Sequence, residues 1–258
     1  MKSPEKYNVP VLEKAISIIE TLSEQVESIG VSELCKLTEM PKTSVFFILN
    51  TLEKHNYISK TESGKYKLGS KLINLGLNVL NKIEIREEAR PFMEKLLQDT
   101  GYTVHLAVLD DGEAMYVEKV ENQGFVKFST YIGQRIPLHA SGVGKALAAY
   151  LPMSKLDEIL HEKGLLEITE NTITNAQDFK AALEVIRNLG YAVEDEEGES
   201  GIRCIGAPIL DHQNQLKASI SITALRTDLS IHEIPIVGEK VKQTALEISM
   251  LLGYRKSN

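Results

Sequence analysis

Tryptophan is absent from this chain, and cysteine occurs only at Cys35 and Cys204. Two cysteines so far apart make neither a disulfide framework nor a paired-cysteine metal knuckle. Cys35 falls on the apolar face of a predicted helix, where a buried structural thiol is expected. No apolar run approaches the roughly 18 residues of a membrane span. The opening MKSPEKYNVP also lacks an apolar signal core. A cytoplasmic protein without a membrane partner is therefore expected. With 43% apolar and 25% charged residues, the 258-residue chain has an ordinary globular composition. Its length allows one large domain or two modest ones, with a core that needs no staples.

Positive charge is also short: the formal net charge is −7, which taken whole argues against nucleic acid. The deficit is uneven. Residues 1–70 carry 9 lysines and 9 acids, whereas residues 71–258 carry 20 basic and 27 acidic residues. Within residues 40–71, Lys42, Lys54, Lys60, Lys65, Lys67 and Lys71 face only Glu53 and Glu62. A patch of that sign suits phosphate contact, and equally a solvated helix face and hairpin.

The first seventy residues have a readable pattern. Val11, Leu12, Ala15, Ile16, Ile18, Ile19 and Leu22 form a helical stripe over about residues 10–25. Ser32 is the expected N-cap of a short helix bearing Leu34, Cys35 and Leu37. Met40-Pro41 then breaks the pattern and opens a new helix at about 42–55. Its core stripe is Val45, Ile48, Leu49 and Leu52, which leaves Lys42, Thr43, Phe46, Phe47, Asn50 and Lys54 on the opposite face. Two short helices joined by a tight turn, the second polar at its start, match a helix-turn-helix. Tyr57 to Lys60 and Lys65 to Leu68 read as strands about the turn Ser63-Gly64, giving a basic hairpin, or wing. The DNA-contacting candidates are Lys42, Thr43, Ser44, Phe46, Phe47, Asn50 and Lys54 on the helix, with Lys60, Lys65 and Lys67 on the wing. Double-stranded DNA is the expected partner.

At these residues the chain resembles the IclR family of bacterial regulators. VPVLEKAISIIETL is similar to that family's first helix, PKTSVFFILNTLEKHNYI to its recognition helix and GKYKLG to the end of its wing. The resemblance continues through IPLHASGVGKALAAYL, GYAVEDEEGESGIRCIGAPILD and ASISITAL. It implies an α+β protein: a winged helix-turn-helix at 1–69, a linker helix at 70–85, and a GAF/PAS-like mixed-sheet effector-binding domain at 86–258. It also implies a homodimer, or a dimer of dimers, on a palindromic operator. The family commonly carries Arg where Phe47 stands. A phenyl ring cannot make arginine's bidentate guanine contact but can pack on a thymine methyl. One of Phe46 and Phe47 packing against the wing or first helix is the alternative.

Beyond residue 86 the pattern alternates. Helices are expected at Ala89 to Asp99, Ser141 to Leu151, Met153 to His161, Ala176 to Leu189 and Pro235 to Gly253. Two strands flank Asp111-Gly112, and others are expected at Phe125 to Tyr131, Tyr191 to Glu194, Ile202 to Leu210 and Lys217 to Ala224. LHASGVGKAL looks superficially like a phosphate-binding loop but fails the pattern. The first glycine would fall at His139, and Ala146 stands where a metal-binding hydroxyl is needed. What remains is a glycine turn opening a helix, suited either to an anion or to close helix–sheet packing. The resemblance carries effector contacts onto Gly142, Val143, Glu194, Ile202, Cys204, Ser221 and Thr223, where the family more often has Asp in place of Glu194. A small carboxylic acid, a sugar acid or an aromatic acid, fits these residues: the glycine turn takes the acid group and side-chain carboxylates accept from hydroxyls. Ser221 and Thr223, two apart on a strand, share a face. Lys145 and Arg203 are expected on the surface or in ion pairs. His139, Ser141 and Asp195 invite a hydrolase reading, but no nucleophile elbow is present and Ser141 suits a helix cap. No enzyme activity, cofactor or metal is expected.

Overall fold

The computed structural model describes residues 8–80, 84–124 and 127–255. The chain divides into two compact units, Met1–Lys82 and Ile83–Asn258.

In the first unit, α1 (Pro10–Ser23), α2 (Val31–Leu37) and α3 (Lys42–Lys54) pack about Ile18, Leu22, Leu34, Val45, Ile48 and Leu49. The α3 stripe is buried because its apolar residues recur at helical spacing. β1 (Ile58–Lys60) and β2 (Tyr66–Leu68) form the antiparallel hairpin, with Gly64 at φ +76° in its turn. Ser32 is not the cap of α2. Gly30 holds that position in an extended conformation, and its carbonyl accepts the Leu34 N–H at 3.0 Å. Cys35 is half-buried against the core rather than enclosed by it. α4 (Ser70–Leu80) begins the expected linker helix; residues 81–83 of that expectation lie outside the described residues, and Glu84 caps the next helix.

The second unit is built on a six-stranded antiparallel sheet in the order β5-β4-β3-β8-β7-β6. The strands are β3 (Thr103–Asp110), β4 (Glu113–Val120), β5 (Arg135–Ile136), β6 (Ala192–Asp195), β7 (Ile202–Leu210) and β8 (Leu216–Leu225). Alternation along them divides the side chains between two faces. Val104, Leu106, Ile205, Ala207, Ile220 and Ile222 face one core, with α5 (Ile85–Thr100) and α9 (Ile234–Leu251). The opposite face meets α6 (Gly142–Ala148), α7 (Met153–Lys163) and α8 (Ala176–Leu189), whose Leu147, Leu156, Phe179 and Leu183 form a second core. Asn175 starts α8 by accepting the N–H groups of Gln177 and Asp178.

The strand expected at Phe125 to Tyr131 is not formed over its described part. Phe125 and Val126 lie outside the described residues, and residues 127–131 run without ladder bonds. The Lys119 ammonium instead takes the carbonyls of Phe128 and Thr130, at 2.8 and 3.1 Å. β4 pairs with the short β5, which the periodicity does not reveal.

Candidate functional site: a basic winged helix and a polar cavity

Two places gather functional chemistry, one in each unit. On α3, Lys42, Thr43, Phe46, Phe47, Asn50 and Lys54 are exposed, and Ser44 is half-buried. Phe46 and Phe47 are 51% and 70% exposed, so neither ring packs into the core of its own unit. The two rings meet edge to face, with centroids 6.1 Å apart. On the hairpin Lys60, Lys65 and Lys67 are exposed, and the Lys60 ammonium lies 5.4 Å from the Tyr66 ring centre. The exposed residues of α3 and of the hairpin thus include the helix start, two solvated aromatic rings and several lysines.

In the second unit a cavity of about 410 Å³ opens on the sheet face that meets α6. Its wall carries four residues singled out from sequence, Glu194, Ile202, Cys204 and Thr223. Ladder register explains the grouping: Glu194 pairs with Cys204, and Cys204 pairs with Thr223, so neighbouring strands aim all three at one face. The Cys204 thiol lies 3.4 Å from the Thr223 hydroxyl. Gly142, Val143 and Ser221 stand off this wall, with Ser221 only 2% exposed.

The glycine turn serves packing. A Cβ on Gly142 would lie 2.9 Å from the Cys204 Cβ, and one on Gly206 would lie 2.3 Å from the Gly142 carbonyl oxygen. These glycines let α6 lie directly on β7. Ser141 caps the helix, its hydroxyl accepting the Gly144 N–H at 3.1 Å and donating to the Pro137 carbonyl at 2.8 Å.

The wall contains residues that sequence reasoning did not single out: Tyr116, Lys127, Thr130 and Gln134. Behind it lies His105, fully buried, with Nε2 2.7 Å from Thr130 Oγ1 and Nδ1 3.3 Å from Thr223 Oγ1. The available signal was the alternation Thr103, His105, Ala107 in a strand otherwise apolar, but the partner strand was needed to give it meaning.

Burial dominates the electrostatics. It pushes the Glu194 carboxyl up, against the lowering effect of N–H groups donated by Gly198 and Glu197. It also pushes up the Cys204 thiol and the Tyr116 phenol. Burial, with the nearby Lys119 charge, lowers His105 to about 3. Lys145, expected on the surface or in an ion pair, is buried and paired with Glu197. Arg203 is likewise buried, in a two-pronged pair with Asp195 at 3.0 and 2.8 Å.

The hydrolase reading has no geometric basis. His139 Nε2 meets the Leu166 carbonyl, Ser141 the Pro137 carbonyl, and Asp195 is held by Arg203. Among the described residues no three metal-ligating side chains converge, and no helix is long and apolar enough to cross a membrane.

A winged helix-turn-helix followed by a sheet domain with a polar cavity defines the class of DNA-binding, ligand-responsive regulators. Residues 11–62 match the IclR helix-turn-helix domain, and residues 77–250 match the C-terminal domain of the bacterial transcriptional regulator IclR. The chain belongs to the IclR family of transcriptional regulators. It is 33% identical over 244 residues to the Escherichia coli regulator XynR, covering 94% of this chain and 97% of that one. It is 31% identical over 245 residues to the Escherichia coli repressor AllR, covering 95% and 90%. The crystal structure of the Agobacterium tumefaciens repressor BlcR superposes with a TM-score of 0.88 at 24% identity, over 98% of this chain and 100% of that one, a likeness of fold. The protein is thus a DNA-binding transcriptional regulator with a C-terminal effector-binding domain, and not an enzyme.

Proposed function

We propose that this protein is an operator-binding repressor, working as a homodimer or dimer of dimers, whose DNA affinity is set by a sugar acid held in the cavity of its second unit. The exposed side of α3 enters the major groove, where Lys42, Thr43, Ser44 and Asn50 reach base edges and Phe46 and Phe47 meet thymine methyls. Lys54 and the wing cations Lys60, Lys65 and Lys67 contact phosphate. Two linked modules supply the effective concentration that one modestly charged module lacks.

The observation that carries the ligand class is the distribution of polar groups on the cavity wall. Glu194, Thr223, Tyr116 and Thr130 line it, and among the described lining residues Lys127 is the one cation. A ligand carboxylate pairs with Lys127. Its hydroxyls donate inward to the Glu194 carboxylate and exchange bonds with Thr223 and Thr130. An aromatic acid, the other class expected from sequence, would set an apolar ring against the Glu194 carboxylate and leave a desolvated acceptor unpaired, at a cost of about 1–3 kcal/mol or more. Ligand binding then shifts the arrangement of the paired winged helices. A coupling of about 1–3 kcal/mol changes operator affinity roughly 5–150-fold.

The test is a thermal-shift series with D-gluconate, hexanoate and benzoate, followed by operator binding with and without the stabilising acid. Stabilisation by gluconate, without turnover and with reduced operator affinity, supports the reading. Stabilisation by the aromatic acid alone overturns it.

A further inference from the structure

His105 is the one fully buried imidazole among the described residues, and nothing in the sequence assigns it a task. It sits on β3, where Thr103 pairs with Thr223 and His105 with Ser221, so Thr223 is its diagonal cross-strand neighbour. Its ring lies 4.5 Å from that of Tyr116, tilted by 31°. Its two nitrogens meet Thr223 on one side and Thr130 on the other. Thr223 belongs to the sheet. Thr130 belongs to the segment 127–131, which has no ladder of its own and is tied back by Lys119.

We infer that His105 is a positioning residue of the effector cavity, joining the Thr130 wall to the Thr223 floor and fixing two hydroxyls as one donor and one acceptor toward the ligand. The inference rests on the cavity being the effector site. Either tautomer leaves one hydroxyl accepting from the ring and the other donating to it. A neutral imidazole has one N–H and one bare nitrogen, so one threonine hydroxyl accepts from the ring and keeps its proton, which Thr130 turns to the ligand and Thr223 shares between the ligand and the Cys204 sulfur 3.4 Å away. The other donates to the ring and turns lone pairs to the ligand. Burial and the adjacent Lys119 charge keep the ring neutral at ordinary pH. Other charged or titratable groups around it are Tyr116 on β4, Cys204 on β7 and Glu194 on β6, all on this side of the sheet. A ligand bearing hydroxyls answers such a pair, since each of its hydroxyls both donates and accepts. An unsubstituted acyl chain does not.

The experiment uses the full chain and the variants His105→Phe, which keeps a ring against Tyr116 and removes both bonds, and Thr130→Val, which removes one bond without altering the core. Two readouts are taken. The first is native-state proteolysis at Lys127 and Phe128, mapped by mass. Cleavage there at least tenfold faster in both variants, with operator binding retained, is expected. The second is selectivity between D-gluconate and hexanoate. The wild-type preference for gluconate is expected to fall at least tenfold in both variants while hexanoate binding stays level, which loss of overall structure would not produce. If wild type ignores gluconate yet the cleavage rates respond, the sugar-acid reading fails and the positioning role stands. If gluconate binds and neither variant alters cleavage or selectivity, the role of His105 is overturned. Should His105→Phe fail to fold, Thr130→Val alone decides.

Discussion

Lys145 and Glu197 form an ion pair inside the second unit, 3% and 8% exposed, and the same ammonium donates to the Val193 carbonyl at 3.3 Å. The pair ties α6 to the loop that follows β6. One Glu197 carboxylate oxygen is buried without a hydrogen-bond partner among the described residues. The loop is also held by Glu194, which accepts the Glu197 N–H at 2.7 Å. An enclosed, ion-paired charge and a cavity-lining carboxyl thus sit three residues apart on one short segment.

Removing one partner leaves the other charged and enclosed. Lys145→Met is expected to destabilise the second unit by about 3–5 kcal/mol, read as a lower midpoint in urea. The double variant Lys145→Met, Glu197→Met should recover much of that loss. A single variant as stable as wild type would refute the burial argument.

Glu194 carries a pH signature. Its folded-state pKa is raised above the unfolded value, mainly by burial. The native state therefore binds the proton more tightly, and the stabilisation present below the unfolded pKa is lost as pH rises through the folded pKa. Glu194→Gln keeps an oxygen for the Glu197 and Gly198 N–H groups. It is expected to flatten that fall in stability and raise stability at neutral pH, while abolishing the ligand response and leaving operator binding intact. Thermal midpoints measured across pH 4–8 check it; a slope unchanged by the substitution counts against it.

Thr223 and Ser221 share a face of β8 but not a place on the cavity wall. Thr223 lines the cavity, whereas Ser221 is enclosed behind it. Thr223→Val should weaken ligand binding by about 1–2 kcal/mol, roughly 5–30-fold. Ser221→Ala should leave ligand affinity within about twofold. Calorimetric titration with the stabilising acid separates them, and equal losses would place both hydroxyls on the ligand.

On the DNA side, Lys60→Ala with Lys65→Ala should flatten the dependence of operator affinity on salt. The slope is expected to fall by about 0.9 for each phosphate that the altered wings no longer neutralise. Fluorescence anisotropy over a salt series measures it. An unaltered slope would remove the wing from the interface.

Much of this architecture was legible from spacing. The α3 stripe at Val45, Ile48 and Leu49 follows from helical period, and the Asp111-Gly112 turn fixes the β3–β4 hairpin. β7 runs from Ile202 to Leu210 as its β-branched and apolar run suggests. Ser32 failed as a cap because Gly30, two residues earlier, takes the extended conformation and the helix begins at Val31. Residues 127–131 failed as a strand because a lysine from β4 took their carbonyls. The first competitor stood in the local sequence as another acceptable cap; the second, a lysine eight residues upstream of Lys127 on another strand, did not.

The sequence by itself determined the order of elements, the basic wing against an acidic remainder, and the family, because these depend on period, turn chemistry and contiguous motifs. Only the tertiary structure decided that Glu194, Cys204 and Thr223 share a wall with Tyr116 and Thr130 while Gly142 and Ser221 stand behind it. The same holds for Lys145, drawn inside to meet Glu197. The physical reason is that these groupings need partners brought together by the fold. Glu194, Cys204 and Thr223 meet through strand register. Tyr116 and Thr130 join them only through the β3–β8 ladder, which pairs residues more than a hundred apart, and Lys145 reaches Glu197 only once α6 lies on the sheet.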